Sequence, residues 1–158
     1  MSQSKASKKS SFNNLVHIGL VVKDMDATIK KLTALGIGPF KPRILPPDAK
    51  ETYRGKPFNP SKRVAIQLTQ IGNMELELIQ PIDGASPHQE FLDSKGEGIQ
   101  HLGFIVDNLA QSVKELTGES SEVMLTSQFK GGGGVAYLDL KAAGLIVELV
   151  EPGKRGSE

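Results

Sequence analysis

Cysteine and tryptophan are absent from this sequence of 158 residues, and aromatic residues make up only 5% of it. The absence of cysteine excludes disulfide bonds and thiolate-bound metal ions, which fits a cytoplasmic protein. Because large aromatic side chains are scarce, leucine, isoleucine and valine must fill the core. The length predicts one domain, or two small halves that share a core.

Neither a strong charge nor a long apolar run is present. The formal net charge is +1, which gives no electrostatic attraction to nucleic acid or to an anionic membrane. The apolar runs are far shorter than the roughly 20 residues that span a bilayer. The Ser- and Lys-rich start lacks the apolar segment of a secretory signal, so we expect residues 1–13 and 153–158 to be disordered tails. Nucleic acid and membranes are therefore not expected partners, and the cytoplasm is the expected location.

Two similar segments indicate an internal duplication. VHIGLVVKDM begins at Val16 and QHLGFIVDNL begins at Gln100, so that His17 and His101 are 84 positions apart. Each segment starts with the alternation of a β-strand and continues into the spacing of an amphipathic helix. An Asp or Asn stands just before each helix, where its side chain can cap the free backbone N–H groups.

A second pair of segments follows the first pair. LELIQP and VELVEP place Glu77 and Glu148 at matching positions 71 residues apart, so the first copy is 13 residues longer. We expect the additional residues in a Pro- and Lys-rich loop between Phe40 and Lys62. After this loop, two strands joined by a Gly-Asn turn form a hairpin, and the second copy repeats the hairpin.

Each copy therefore contains a strand, a helix and a run of further strands. We predict a first module over residues 14–82, a connecting helix within 83–98 that begins after Ser86, and a second module over 99–152. Neither module can bury its own sheet, so the two must pack together or against another chain. The predicted class is α+β, with two tandem βαβββ modules.

Four polar residues occupy matching positions in strands that are otherwise mainly apolar. A buried carboxylate destabilises a small domain strongly unless a partner compensates its charge, and a divalent cation is such a partner. Two imidazoles and two carboxylates suit one ion of Co, Mn, Zn, Ni or Fe(II), and an octahedral ion keeps two adjacent positions for substrate oxygens. The predicted metal ligands are His17, Glu77, His101 and Glu148.

Each of these residues has a simpler interpretation when it is considered alone. A single histidine in a strand is usually a hydrogen-bonded core residue, and a single glutamate in a strand usually lies on the solvated face. Glu75 also lies on the same side of the strand as Glu77. The duplication favours Glu77, because Glu77 and not Glu75 aligns with Glu148. His88, at the start of the connecting helix, is expected to be exposed and structural.

In their order along the chain, VHIGLVVKD, MELELIQP, QHLGFIVDN and GLIVELVEP resemble the vicinal oxygen chelate superfamily. That superfamily includes glyoxalase I, methylmalonyl-CoA epimerase, extradiol dioxygenases and bleomycin-resistance proteins. The resemblance covers roughly residues 14–152. It implies a glyoxalase-like fold, in which paired βαβββ modules form a curled mixed sheet around a metal-binding cup. It also implies an enzyme that forms a side-by-side homodimer.

Within the superfamily, the segment from Ile71 to Leu109 is most similar to methylmalonyl-CoA epimerases. These share a Gly-Asn turn before a similar strand, and a Ser-Pro-led helix that ends in GxGIxH. Some epimerases carry an extra carboxylate in the strand before that turn, where this chain has Gln67 and Gln70. AYLDLKAAG also differs from the HPK and GG lead-in of many epimerases. These differences leave the substrate and the second proton carrier open.

The resemblance implies metal-dependent proton transfer at a carbon next to a carbonyl, most closely the racemisation of an acyl-CoA thioester by methylmalonyl-CoA epimerase. Glu148 is the first candidate for the catalytic base, and Glu77 is the second. The phosphates of an acyl-CoA need nearby cations, whereas KGGGGV lacks a following helix and favours a turn or lid over a phosphate site. The candidates for substrate binding are Arg54, Lys56, Arg63 and Gln67.

Three alternatives belong to the same superfamily. A lactoylglutathione lyase (glyoxalase I) uses the same ligands and proton chemistry on a glutathione hemithioacetal, a thiol adduct. An extradiol dioxygenase binds Fe(II) through two histidines and one carboxylate, usually within one module, whereas here the ligands are divided evenly. A drug-binding protein of the bleomycin-resistance type is not an enzyme and uses a hydrophobic, often aromatic groove. Four intact ligands and scarce aromatic residues disfavour that type.

Overall fold

The computed structural model describes residues 10–46, 48–59, 64–117 and 121–153. In these ranges the chain forms one mixed sheet of ten strands together with three helices. The strands are β1 (Leu15–Val21), β2 (Lys41–Pro42), β3 (Lys50–Tyr53), β4 (Lys56–Phe58), β5 (Val64–Ile71), β6 (Met74–Pro81), β7 (Gly98–Ile105), β8 (Glu122–Gln128), β9 (Gly134–Asp139) and β10 (Ile146–Glu151). The helices are α1 (Met25–Ala34), α2 (Pro87–Lys95) and α3 (Leu109–Leu116).

The pairing of strands repeats on the two sides of α2. In the first half β1 pairs in parallel with β6, and β5 and β2 extend the sheet in antiparallel order. In the second half β7 pairs in parallel with β10, and β9 and β8 extend the sheet in the same way. Antiparallel pairing of β1 with β7 joins the halves. Over the described residues the sheet is not closed into a barrel, and the predicted α+β, glyoxalase-like arrangement is confirmed. The module boundaries at 14–82, 83–98 and 99–152 stay predictions.

The segment predicted as a loop between Phe40 and Lys62 contains three short strands. β2 pairs with β5 at one side of the sheet, whereas β3 and β4 form a hairpin that pairs with β8 at the other side. The prediction of a loop is therefore wrong. The sequence did not reveal these strands because they are only two, four and three residues long, and two of them contain proline. The β3–β4 hairpin therefore adds residues from the first half to the edge of the sheet that β8 would otherwise form.

Helices α1 and α3 pack on one face of the sheet, and the other face forms a concave cup that α2 borders through His88. Leu78 and Leu149 are fully buried on the helix face, in the clusters that contact α1 and α3. Because side chains alternate between faces along a strand, the preceding residues Glu77 and Glu148 point to the cup. The apolar alternation that builds the core thus places the acidic residues on the opposite face.

The helices begin where the capping residues of the sequence predict. Asp24, Ser86 and Asn108 each accept a hydrogen bond from the backbone N–H three residues later. After α1, Gly36 has φ of 91°, the left-handed conformation that commonly ends a helix. None of the helices in the described ranges is long and apolar enough to cross a membrane.

Candidate metal centre

The four residues predicted to bind a metal lie on the four adjacent strands at the centre of the sheet. His17 is on β1, Glu77 on β6, His101 on β7 and Glu148 on β10. One ligand atom from each residue lies within 4.8 Å of the other three. All four are buried, with no more than 4% of any residue exposed. A slip of one residue in any of these strands would turn its side chain to the helix face, so the strand register assembles the cluster.

The donor atoms of this cluster are turned toward one another. The Nε2 atoms of His17 and His101 are 3.1 Å apart, and Oε2 of Glu148 is 2.7 Å from the first and 3.1 Å from the second. Oε2 of Glu77 is 3.9 Å from the His17 nitrogen. Two donors that each lie about 2.1 Å from a shared ion at a right angle are about 3.0 Å apart. The spacing and the mixed nitrogen and oxygen donors therefore fit one divalent cation.

Two glycines make room for the two imidazole rings. In the antiparallel pairing of β1 with β7, Gly19 lies opposite His101 and Gly103 lies opposite His17. A Cβ atom on Gly19 would lie 2.5 Å from both ring nitrogens of His101, and a Cβ atom on Gly103 would meet the His17 ring as closely. Neither glycine has a positive φ, so the requirement concerns space and not backbone conformation. Each half thus provides the gap that the histidine of the other half occupies.

A buried amide fixes the orientation of His101. The Gln100 amide nitrogen donates to the Pro87 carbonyl at 3.0 Å, so its oxygen faces Nδ1 of His101 at 3.0 Å and Nδ1 of His88 at 2.8 Å. Because both Nδ1 atoms donate to this oxygen, Nε2 of His101 is left free to bind a cation. The prediction that His88 is exposed is wrong, since it is 5% exposed. Burial lowers the pKa of His88 to about 4, so the ring is neutral.

The two carboxylates of the cluster differ in their electrostatic surroundings. Burial acts to raise the pKa of Glu148, but hydrogen bonds and charges from His101 and His17 outweigh burial and hold that pKa well below its usual range. Burial raises the pKa of Glu77, and the charge of Glu148 raises it further, against the opposing charge of Arg43. Glu148 is therefore held in its ionised form between the two imidazoles.

Arg43 and Tyr137 belong to the site, although the sequence did not reveal them. Nη1 of Arg43 donates to Oε2 of Glu77 at 3.2 Å, and the Arg43 backbone N–H donates to the Ile66 carbonyl at 3.0 Å. The Tyr137 ring lies 4.9 Å from the His101 ring, centroid to centroid, and burial with the nearby carboxylates raises its pKa well above the usual value. Arg43 falls in the presumed loop, where no periodicity distinguishes it. For Tyr137, the one indication is its position opposite Glu148 in the pairing of β9 with β10.

A cavity of about 270 Å³ opens on this cluster from the concave side of the sheet. It is lined by Arg43, Glu77, His88, Tyr137 and Glu148. Its remaining walls are largely apolar, and Glu51 and Ser127 are polar members of the lining. Pockets that enclose drug-sized ligands measure about 300–1,000 Å³, so this cavity suits a short acyl group and not a whole acyl-CoA. The apolar lining residues are Ile44, Leu45, Pro46, Phe58, Val64, Ile66, Leu125, Phe129 and Val135.

Among the described residues that the sequence predicts to bind substrate, none lines this cavity; these are Arg54, Lys56 and Gln67. Arg54 and Lys56 flank the turn between β3 and β4, and Arg54 forms ion pairs with Glu90, at 2.7 Å, and with Glu122. Gln67 pairs with Leu78 in the register of β5 and β6, so it shares the helix face of the sheet and points away from the cup. A role of Gln67 in substrate binding stays a prediction. Arg63 lies outside the described residues.

The glycine-rich segment before β9 is packed against backbone. A Cβ atom on Gly134 would collide with the Ser127 carbonyl, and one on Gly133 would lie 2.5 Å from the Glu151 carbonyl oxygen. Gly132 and Gly133 also have positive φ. The segment therefore forms a tight turn, as the sequence favours.

Three comparisons relate this chain to known proteins. Residues 16–138 match the family model described as the Glyoxalase/Bleomycin resistance protein/Dioxygenase superfamily. The uncharacterised protein YqjC of Bacillus subtilis (strain 168) is 30% identical over 94 residues, which cover 58% of this chain and 67% of that protein.

Solved structures share the fold at low sequence identity. Methylmalonyl-CoA epimerase from Mycobacterium tuberculosis has a TM-score of 0.67 and 24% identity, with 93% of each chain covered. A single-residue variant of Streptomyces coelicolor methylmalonyl-CoA epimerase, in complex with 2-nitronate-propionyl-CoA, has a TM-score of 0.66 and 21% identity, covering 89% of this chain and 98% of that one. At these identities the likeness establishes the fold and not the substrate.

Proposed function

We propose that this chain, which belongs to the glyoxalase/bleomycin resistance protein/dioxygenase superfamily, catalyses metal-dependent proton transfer at a carbon next to a carbonyl. The observation that carries the proposal is the convergence of His17, Glu77, His101 and Glu148 on one point at the base of an apolar cavity. Buried donors of this kind, open to a cavity on one side, are typical of a catalytic and not a structural metal site.

All four residues of the cluster bind the metal ion in this proposal, and the two glutamates are also candidates for proton transfer. The four side chains would hold the ion, which would supply a Lewis acid for the charge that develops on a carbonyl oxygen. Glu148 is the proton acceptor in this proposal, because its carboxylate lines the cavity. Glu77 is the second candidate, although its ion pair with Arg43 restrains it. The apolar walls exclude water from the reacting carbon.

The substrate that we propose is an acyl-CoA thioester, with racemisation of methylmalonyl-CoA as the reaction. Support comes from the fold shared with two methylmalonyl-CoA epimerases, one of them in complex with 2-nitronate-propionyl-CoA. A cavity of about 270 Å³ accepts the acyl end and leaves the nucleotide of the CoA outside. Lys56, at the hairpin turn, remains a candidate cation for the CoA phosphates, and the side-by-side homodimer remains part of the proposal.

The first experiment measures metal content and hydrogen exchange together. Protein purified without chelator is analysed for divalent metals, and both epimers of methylmalonyl-CoA are then incubated with it in D₂O and followed by NMR. We expect one metal ion per chain and exchange of the α-hydrogen. The hemithioacetal of glutathione and methylglyoxal serves as the alternative substrate. Absence of exchange with the thioester rejects the proposed reaction, and turnover of the hemithioacetal alone assigns a lyase instead.

The second experiment replaces the proposed base. In metal-loaded Glu148→Gln, exchange should fall by about 10²- to 10⁴-fold, the usual loss when a general base is removed. Because Glu148 is also a proposed ligand, rates are compared per bound ion. Glu97→Gln is the matched control, since Glu97 is exposed and its carboxylate accepts a surface bond from the Lys23 backbone N–H. Undiminished exchange in Glu148→Gln would remove that residue from the proton-transfer step.

A further inference from the structure

Two buried side-chain oxygens in the described part of the chain have no hydrogen-bond partner, and both residues line the cup. They are Oε2 of Glu51 and Oγ of Ser127. The two residues lie opposite each other in the pairing of β3 with β8. Buried polar atoms are nearly always satisfied, so an exception that faces a cavity is a place where water or a ligand completes the bonding. The cup therefore has a second polar surface besides the metal cluster.

This second surface lies across the cavity from the metal cluster. In the strand order of the sheet, β9 and β8 separate β10, which carries Glu148, from β3, which carries Glu51. Three strand spacings of about 4.8 Å correspond to roughly 14 Å along a flat sheet. Both carboxylates nevertheless line one cavity of about 270 Å³, because the sheet curls around it. A group held in that cavity therefore contacts walls that carry both Glu148 and Glu51.

The wall of the cavity that β5 forms offers no group that can transfer a proton. The β5 residues that line it are Val64 and Ile66, which carry no proton that can be transferred. Arg43 is engaged by Glu77, and its guanidinium does not give up a proton near neutral pH. Among the described lining residues, Glu51 is thus the carboxylate that belongs neither to the metal cluster nor to an ion pair.

We propose that Glu51 is the second proton-transfer residue of this enzyme and acts on the face of the substrate carbon opposite to Glu148. The assignment rests on the proposed function, and it identifies the carrier that epimerisation requires beyond the first base. The β3–β4 hairpin, which is inserted into the first half, supplies this carboxyl group. Ser127 lies opposite Glu51 in the strand pairing, which places its hydroxyl beside the carboxyl group.

The proton balance of the step is complete. Glu148 removes the α-hydrogen as a proton, so that the C–H bond breaks, an O–H bond forms, and the electron pair moves to the carbonyl oxygen. The Glu51 carboxylic acid then gives its proton to the other face of the same carbon as its O–H bond breaks. The reverse direction exchanges the two tasks, and no oxidant or reductant is required. In agreement with the acid form, burial raises the pKa of Glu51.

The test compares Glu51→Gln with the wild type on each epimer of methylmalonyl-CoA in D₂O. We expect interconversion of the epimers to fall by about 10²-fold or more, as for the loss of a general acid. Exchange should persist in the epimer whose hydrogen Glu148 removes, and should be lost in the other epimer. A merely structural role for Glu51 would lower exchange in both epimers alike. Thr52→Val is the control, because Thr52 lies on the same strand and its hydroxyl bonds Thr126 on the exposed side.

Every outcome of this test bears on the proposal. Interconversion at the wild-type rate in Glu51→Gln overturns the assignment of Glu51 and leaves the proposed function intact. Equal loss of exchange in both epimers also overturns it. A wild type that exchanges neither epimer rejects the proposed function, and the role of Glu51 with it. Thermal unfolding verifies that the variant is folded, and replacement of a buried carboxyl group by an amide should not lower its melting temperature.

Discussion

The reciprocal placement of Gly19 and Gly103 leads to a specific prediction about metal binding. Each glycine faces the imidazole of the other half, and an added Cβ atom would lie within 2.5 Å of ring atoms of His101 or His17. Non-bonded heavy atoms normally keep about 3.5 Å apart, so alanine must push the ring away by at least about 1 Å. Ligand distances in a metal site tolerate only about 0.2 Å.

We therefore expect Gly19→Ala and Gly103→Ala each to remove one histidine from the ligand set. Loss of a partner that merely orients a ligand already weakens metal binding by 10- to 100-fold, so a displaced ligand should cost at least about 100-fold, or about 2.7 kcal/mol. Overpacking should lower the free energy of unfolding by about 1–3 kcal/mol as well. The two variants should behave alike, because the two halves are related by the duplication.

The measurement is calorimetric titration of the metal-free protein with Co²⁺, accompanied by thermal unfolding. Gly131→Ala is the matched control, because nothing lies within 4 Å of its added Cβ atom and Gly131 is not among the residues with positive φ. The control should bind Co²⁺ like the wild type. If a folded Gly103→Ala protein also binds Co²⁺ with wild-type affinity, His17 is not a ligand and the cluster must be interpreted as a hydrogen-bonded core.

Two further predictions concern stability. The pKa of His88 lies at about 4 in the folded chain and near 6.5 when unfolded, so the unfolded chain binds more protons between these values and stability falls as the pH decreases through them. The full effect on the free energy of unfolding is about 3 kcal/mol. In urea unfolding with chelator, the free energy of unfolding of His88→Gln should lie well below that of the wild type at pH 7 and closer to it at pH 4.5. A difference that stays constant with pH would contradict the assignment. Arg54→Gln should lower the free energy of unfolding by less than about 1 kcal/mol, since its ion pairs are exposed, and should leave the KM for methylmalonyl-CoA unchanged because Glu90 and Glu122 already balance its charge. A tenfold rise in that KM would assign Arg54 to substrate binding after all.

The duplication explains why the metal cluster could be predicted without coordinates. His17 and His101 repeat in strands of the same pattern, and the alignment of Glu77 with Glu148 separates Glu77 from its neighbour Glu75. Strand alternation then places all four side chains on one face, since a strand turns successive residues to opposite sides.

The residues that the sequence did not reveal come from irregular segments or from long-range contacts. Glu51 lies on a strand of four residues that is stabilised by pairing with β8, far away in the chain. Arg43 follows a two-residue strand, and only its contact with Glu77 distinguishes it from other surface arginines. His88 precedes no apolar pattern, and its burial depends on the Gln100 amide and on the Tyr137 ring packing against it.

The sequence by itself determined the two-fold repeat, the helix starts and the side of the sheet on which the acidic and imidazole groups lie, because these depend on local periodicity and on matching positions. Tertiary structure decided which strands became neighbours, how the sheet curled, and hence which residues from the inserted hairpin and from the connecting helix reached the cup. Strand pairing and sheet curvature depend on burial and hydrogen bonding between segments that are distant in the chain, and a local sequence pattern does not contain that information.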